Sequence, residues 1–408
     1  MQLNLKRLLH IFILIFVIAC NDDNNEIIPE PDKPIKTDTE QTVFLYMPWS
    51  TNLTSFFKNN IKNIEQALGQ NIMQNDRFLI FFAHEINEAV LFELSYENGT
   101  VKSDTIRYYD EVTFITSGGI TNLINEIKDI APAKRYSMII SSHGMAWLPK
   151  SETKSEYYQE YWEHESPFLT KTYDNNYLES NITRYFGGGT PEYQIDIYEF
   201  AEGVRNSNTK FEYILFDNCY MSSIEVIYEI KDITNYIIAS PTEIMAYGYP
   251  YGIIGKYLFG TPNYKGISEG FVDFYKTYSM PCGTIGVTVC SEVEEMANVM
   301  KEINSAHEFE DSKREKIQRL DGYTPILFYD FGDYVKNLCG DDEYLLGKFY
   351  NQLDKMIPQE YRLSTDSYFC QGLGRVNIKS YSGINTSEPS NNKRVVDIIE
   401  TSWYKATH

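Results

Sequence analysis

The chain has 408 residues and a formal net charge of -21, with 57 acidic against 36 basic side chains. No basic tract is longer than a pair, which excludes a nucleic-acid partner and fits an acidic protein outside the cytoplasm. A hydrophobic share of 43% suffices for a sizeable core in one large or two ordinary domains.

At the amino terminus Lys6 and Arg7 precede an apolar run over residues 8–19, broken only by His10. The run is too short for a comfortable membrane span and has the build of a secretory signal. Its end, Val17-Ile18-Ala19-Cys20, resembles a bacterial lipobox, where the cysteine is lipidated and becomes the new first residue. The acidic stretch over 21–26 resembles the one that sends Bacteroidetes lipoproteins to the cell surface. The expectation is a signal peptide over 1–19 and a lipid on Cys20 that anchors the protein to the outer membrane, at the cell surface. A flexible tether over 20–40, rich in Pro, Asp and Lys, would follow. Cleavage moves the formal charge from -21 to -23 by removing Lys6 and Arg7. A cleaved signal with an unmodified Cys20 is the alternative. Five further cysteines remain, and an odd number leaves at least one free thiol. Cys282 and Cys290 flank one apparent strand and would stand roughly 26 Å apart, beyond disulfide reach. No disulfide framework is expected.

Residues 42–47 read as the first buried strand, followed over 51–68 by a helical stripe of Phe57, Ile61, Ile64 and Leu68. A second buried strand spans 78–83, and 89–95 with 104–109 form a more exposed pair. Ser117-Gly118-Gly119 opens a helix with Ile120, Leu123, Ile124 and Ile127 on one face, ended by Pro132. The apolar strand after it, Tyr136-Ser-Met-Ile-Ile-Ser-Ser142, runs into His143-Gly144. A long polar insertion over 148–191 comes next, of the kind that is usually functional. Asp196 with Glu199 reads as a capping box for a helix carrying Ile197, Phe200, Ala201 and Val204. That helix leads into the strand Tyr213-Ile-Leu-Phe216 and the turn Asp217-Asn218-Cys219, after which Met221, Ile224, Ile227 and Tyr228 recur at helical spacing. A further strand over 236–240 ends at Pro241-Thr242-Glu243. Such alternation predicts an α/β fold, a doubly wound, mostly parallel sheet with helices on both faces, over 41–256. Beyond 257, helical stretches near 267–278, 292–305 and 342–356 surround one strand at 284–289, and a last apolar stretch covers 372–378. The region 257–408 reads as a mixed, largely helical subdomain against the sheet.

Chemistry concentrates at two strand ends. Cys219 stands where a strand meets a helix amino terminus, whose N–H groups and dipole favour a thiolate; a buried, inert cysteine is the competing reading. His143 ends another strand, and two strands of one parallel sheet would set base and nucleophile side by side outside their carboxyl ends. Ser142-His143-Gly144 with Asp217-Asn218-Cys219 resembles the clostripain family of cysteine peptidases, relatives of the caspase-type α/β peptidases. The likeness extends from the opening strand Thr42-Val-Phe-Leu-Tyr-Met47 to Thr401-Ser-Trp403-Tyr. Asn218 stands where the family usually has a small residue, Met145-Ala146-Trp147 where it has a glycine-rich Trp turn, and Ser222-Ser223 where a glycine is expected.

The resemblance implies a cysteine endopeptidase acting on protein or peptide substrates. Cys219 would be the nucleophile, His143 the acid–base, and the backbone N–H groups of Gly144 and Cys219 the oxyanion donors. Asp217 would line the S1 pocket and bind Arg or Lys; an N-cap for the following helix is its other reading. Relatives are often cut by their own activity between the two motifs, and the insertion offers Lys171 and Arg184, with Lys150 and Lys154 nearer His143. No cofactor is implied, although some relatives use Ca²⁺; the acidic loop Asp341-Asp342-Glu343 reads either as a Ca²⁺ ligand set or as solvated charge. Gly266-Ile267-Ser268-Glu269-Gly270 matches a serine-hydrolase elbow in letters but follows a polar loop, where Ser268 suits a helix start. The alternative function is a catalytically silent surface lipoprotein that uses the peptidase scaffold and its 33 tyrosines to hold glycan or protein.

Overall fold

The computed structural model describes residues 38–110, 114–150, 186–188, 191–278 and 280–408. Strand β1 (Gln41–Met47) is buried along its whole length, as a strand must be when helices cover both faces of its sheet. Its alternation sorts the side chains into two cores. Val43, Leu45 and Met47 face one, and Phe44 and Tyr46 face the other.

The sheet is built from β1, β2 (Arg77–Glu85), β3 (Glu88–Glu97), β4 (Thr100–Tyr109), β5 (Arg135–Ser141), β6 (Phe211–Asp217), β7 (Thr234–Ala239), β8 (Thr284–Val289) and the short β9 (Leu363–Ser364). These nine strands lie in the order β9-β8-β7-β6-β5-β1-β2-β3-β4. The central strands β2, β1, β5, β6 and β7 are parallel. Antiparallel strands extend both sides, β3 and β4 beyond β2, and β8 and β9 beyond β7. A doubly wound, mostly parallel sheet is therefore present. The pair expected over 89–95 and 104–109 is a longer hairpin at one edge of the same sheet.

One core packs α1 (Thr54–Leu68), through Phe57, Ile61, Ile64 and Leu68, beside α5 (Tyr264–Lys276), through Ile267, Phe271, Val272 and Tyr275. The other takes α2 (Ser117–Ile130), α3 (Ile197–Asn206), α4 (Ile224–Ile230), α6 (Val293–Ala306), α7 (Phe331–Cys339) and α8 (Glu343–Met356). Burying each such Leu, Ile or Phe contributes about 1.5–3 kcal/mol. Helix α2 begins where Thr116 accepts a bond from Gly119 N at 3.1 Å. The final helix, α9 (Ser402–Thr407), inserts the fully buried Trp403, whose ring lies 5.6 Å from Tyr228 and 5.9 Å from Phe331. It pins the end of the chain against α4 and α7.

Two local readings differ. Asp196 occupies the N-cap position of α3 but makes no side-chain cap bond; its Oδ1 accepts from Lys150 N at 2.8 Å instead. The apolar stretch near 372–378 is the return strand of a separate hairpin, Ser367–Cys370 against Gly374–Asn377. Among the described residues, no helix is long and apolar enough to cross a membrane.

Candidate active site

Strands β5 and β6 pair in parallel with Ser141 opposite Asp217. His143 and Cys219 each lie two residues beyond that pair, so the register sets them level at the carboxyl edge. Gly144 makes the approach close: a Cβ there would lie 2.6 Å from Cys219 O and 2.8 Å from Asn218 Cβ. Only glycine lets the two strand ends come this near.

Asn218 stitches them. Its Nδ2 donates to Ser142 O at 2.8 Å, Ser142 Oγ at 2.6 Å and His143 O at 3.2 Å. A side chain without an amide NH₂ could make none of these bonds. The turn after His143 keeps a left-handed residue without glycine, since Ala146 has φ 54°, a conformation costing about 1–2 kcal/mol for an L-residue. Trp147 anchors that turn by donating from Nε1 to Ser387 Oγ at 3.1 Å.

The thiol of Cys219 is nearly buried and lies against the backbone of Ile244, which donates from N to Sγ at 3.4 Å. The thiol in turn faces Ile244 O at 3.7 Å, so one residue offers the sulfur both a donor and an acceptor. Tyr220 has φ 64°, donates from N to Thr242 O at 3.0 Å and from its hydroxyl to Glu243 at 2.6 Å. Ser222 N donates to Ser240 O at 3.0 Å, and Asn385 Nδ2 spans Tyr220 O at 3.2 Å and Pro241 O at 2.8 Å. The nucleophile loop is thus held from two sides. Helix α4 begins only at Ile224, with Ser223 at its N-cap position. The expected helix terminus at Cys219 is corrected accordingly: several residues intervene, so the helix dipole does not act on the sulfur, because that effect fades within the first turn.

The same start removes the capping reading of Asp217. Its carboxylate instead accepts from Tyr249 N at 3.1 Å, Tyr251 OH at 2.9 Å, Ser141 Oγ at 3.2 Å and, more distantly, Asn60 Nδ2 at 3.4 Å. Burial pushes its pKa up to about 6, and the hydroxyl and backbone donors hold it from rising further. Gly248, with φ 71°, makes room, since a Cβ there would sit 2.6 Å from Asp217 Oδ1. His143 is buried too, and burial lowers its pKa to about 4, so the ring is neutral at pH 7. Its Nε2 lies 3.1 Å from Asn52 Oδ1. Neither Asn52 nor Asn60 stood out in the sequence, which offers several asparagines in that helical stretch and no spacing that selects these.

The other four described cysteines lie outside the two strand ends that carry His143 and Cys219. Cys282, Cys290, Cys339 and Cys370 are buried, and burial raises each thiol pKa, to about 12 for the first two. No disulfide joins the five described cysteines. Ser268 is buried within α5 rather than exposed at a strand–helix elbow. Asp342 caps α8 by accepting from Leu345 N at 3.0 Å and faces His307 Nε2 at 3.1 Å, so its oxygens are engaged. Among the described residues no group of three His, Cys, Asp or Glu side chains could hold a metal. Cys20, Lys171 and Arg184 lie outside the described residues.

A thiol and an imidazole level with each other on the carboxyl edge of a doubly wound sheet place the chain among the caspase-like cysteine peptidases. More particularly, it belongs to the clostripain family, whose model matches residues 45–396. It is similar to a secreted C11 cysteine protease from Bacteroides thetaiotaomicron, "iotapain", at 46% identity over 91% of this chain and 99% of that one, with a TM-score of 0.81. A clostripain from the same organism, in complex with the peptide inhibitor BTN-VLTK-AOMK, is 50% identical over 55% of this chain and 99% of that one, with a TM-score of 0.54. An inactive zymogen C11 protease from Parabacteroides distasonis is 25% identical over 92% and 99% of the two chains, with a TM-score of 0.73. No curated protein matches the chain.

Proposed function

We propose that this cysteine peptidase cleaves external proteins after Arg or Lys, with Cys219 as nucleophile and His143 as its acid–base partner. The observation that carries the reading is the contact of Gly144 with the Cys219 backbone, which brings the two strand ends into one site. The thiol proton passes to the imidazole and sulfur adds to the peptide carbonyl. The N–H groups of Gly144 and Cys219 receive the oxyanion. As the C–N bond breaks, the imidazolium returns its proton to the leaving amine, and water then hydrolyses the acyl-enzyme. A buried carboxylate, Asp217, close to the nucleophile supports a cationic P1 residue, and the inhibitor bound by the 50% identical relative ends in lysine before its AOMK group. A silent binding scaffold finds less support, given relatives described as proteases. The test is labelling with a peptidyl acyloxymethyl ketone ending in Lys. The expected result is one adduct, on Cys219, absent from Cys219→Ala and blocked by prior iodoacetamide. A wild-type protein that hydrolyses no peptide and takes up no probe would sink the reading.

The same reading places the protein at the cell surface, held by lipid on Cys20, on the strength of the sequence Val17-Ile18-Ala19-Cys20. Cys20→Ser is expected to move it from the detergent-extracted membrane fraction to the soluble fraction. Equal membrane retention of both forms would remove the anchor.

A further inference from the structure

We propose that Asn52 is a positioning residue that fixes the tautomer of His143, so that Nδ1 is the nitrogen that exchanges protons with Cys219 and the leaving amine. The inference rests on the peptidase reading above and adds a third side chain to it. Asn52 sits in the single turn Thr51–Leu53 at the carboxyl end of β1. Strand β1 is the neighbour of β5 on the side away from β6, with Tyr46 opposite Ile140. The imidazole therefore lies between the nucleophile loop on one flank and this turn on the other. The turn itself is held: Leu53 N donates to Ser50 O at 3.2 Å, and Ser50 Oγ to Pro48 O at 2.9 Å.

The chemistry follows from the donor and acceptor inventory. Asn52 presents Oδ1 to His143 Nε2 at 3.1 Å, and an amide oxygen only accepts. A neutral imidazole carries one N–H, and burial keeps this ring neutral at pH 7. The proton therefore sits on Nε2, and Nδ1 carries the lone pair. Nδ1 can then take the thiol proton as sulfur adds to the carbonyl carbon, and give it to the amine nitrogen as the C–N bond breaks. The amide oxygen also stabilises the transient imidazolium, because a charged donor makes the stronger bond. A tautomer held the other way would aim an N–H at the thiol and leave no acceptor for its proton.

The test uses kinetics and a readout that does not need turnover. Asn52→Ala is expected to lower kcat about ten- to a hundredfold with little change in KM. Asn52→Asp puts a carboxylate on the Nε2 proton, and the limb of the pH–rate profile reporting the imidazole should move to higher pH. It also keeps the side chain's size, so it serves if the alanine variant fails to fold. Independently, ¹⁵N spectra of histidine-labelled Cys219→Ala, assigned by loss of the signal in His143→Ala, should show the Nε2–H tautomer. Adding Asn52→Ala should shift it to a mixture. Wild-type kcat and pH profile in both Asn52 variants would overturn the proposal, as would an Nδ1–H tautomer or one that ignores Asn52. If the wild-type protein proved inactive on peptides, the peptidase reading would fail while the spectra still decided the role of Asn52.

Discussion

Cys219→Ala is expected to abolish peptide hydrolysis, by about 10⁴-fold or more, in a protein that melts at the wild-type temperature. The sulfur makes the acyl-enzyme, and no other side chain at this strand end can replace it. The fold survives because the loop is held by backbone bonds, Tyr220 N to Thr242 O and Ser222 N to Ser240 O, both 3.0 Å, and by Asn385, none of which uses the thiol. His143→Ala is expected to cost about 10²–10⁴-fold, the usual worth of a positioned proton donor, because the leaving amine then departs unprotonated. Either variant near wild-type kcat/KM on a short peptide would refute the pair. The same preparations decide self-cleavage. Incubated side by side and sequenced from new amino termini, wild type should be cut after Lys171 or Arg184 and Cys219→Ala should stay whole. A fully active, uncut wild type would remove self-cleavage and leave the peptidase assignment standing.

Much of the scaffold could be read from periodicity, because a strand covered on both faces has to be apolar throughout and a helix on a sheet has to carry a stripe. Hence β1, β5, β6 and the Phe57–Ile61–Ile64–Leu68 face of α1 stand close to where the residues put them. His143 and Cys219 were visible for the same reason, each being the reactive residue next to the end of such a strand. Periodicity states which face a side chain takes and not which partner it meets. The bond from His143 to Asn52 and the three donations from Asn218 join segments far apart in sequence, and their partners are chosen by register. Local motifs failed where tertiary competition won. Asp196 gave its oxygen to Lys150 N rather than to its own helix. Met221, with helical spacing to Ile224, lies ahead of the helix because the chain first runs alongside residues 240–242.

Asp217→Asn is expected to lower kcat/KM for Arg and Lys at P1 far more than for neutral residues. Losing one partner of a buried charge pair costs about 2–5 kcal/mol, or roughly 30-fold to a few thousandfold. The fold should tolerate the change. Burial raises the Asp217 pKa to about 6, above its value in an unfolded chain, so the ionised carboxylate disfavours folding and the neutral amide does not. The hydroxyls of Tyr251 and Ser141, which donate to Oδ2 at 2.9 and 3.2 Å, can turn to accept from the new NH₂. The pH dependence supplies a second check with a fixed sign. In the free enzyme Asp217 is charged above about pH 6 and neutral below it. The preference for Arg and Lys over a neutral P1 should therefore fall as pH drops through that value, and the fall should vanish in Asp217→Asn. Equal losses across a P1 library, with the pH-dependent preference intact, would return Asp217 to a purely structural role, gathering Tyr249, Tyr251 and Ser141 beneath the nucleophile loop.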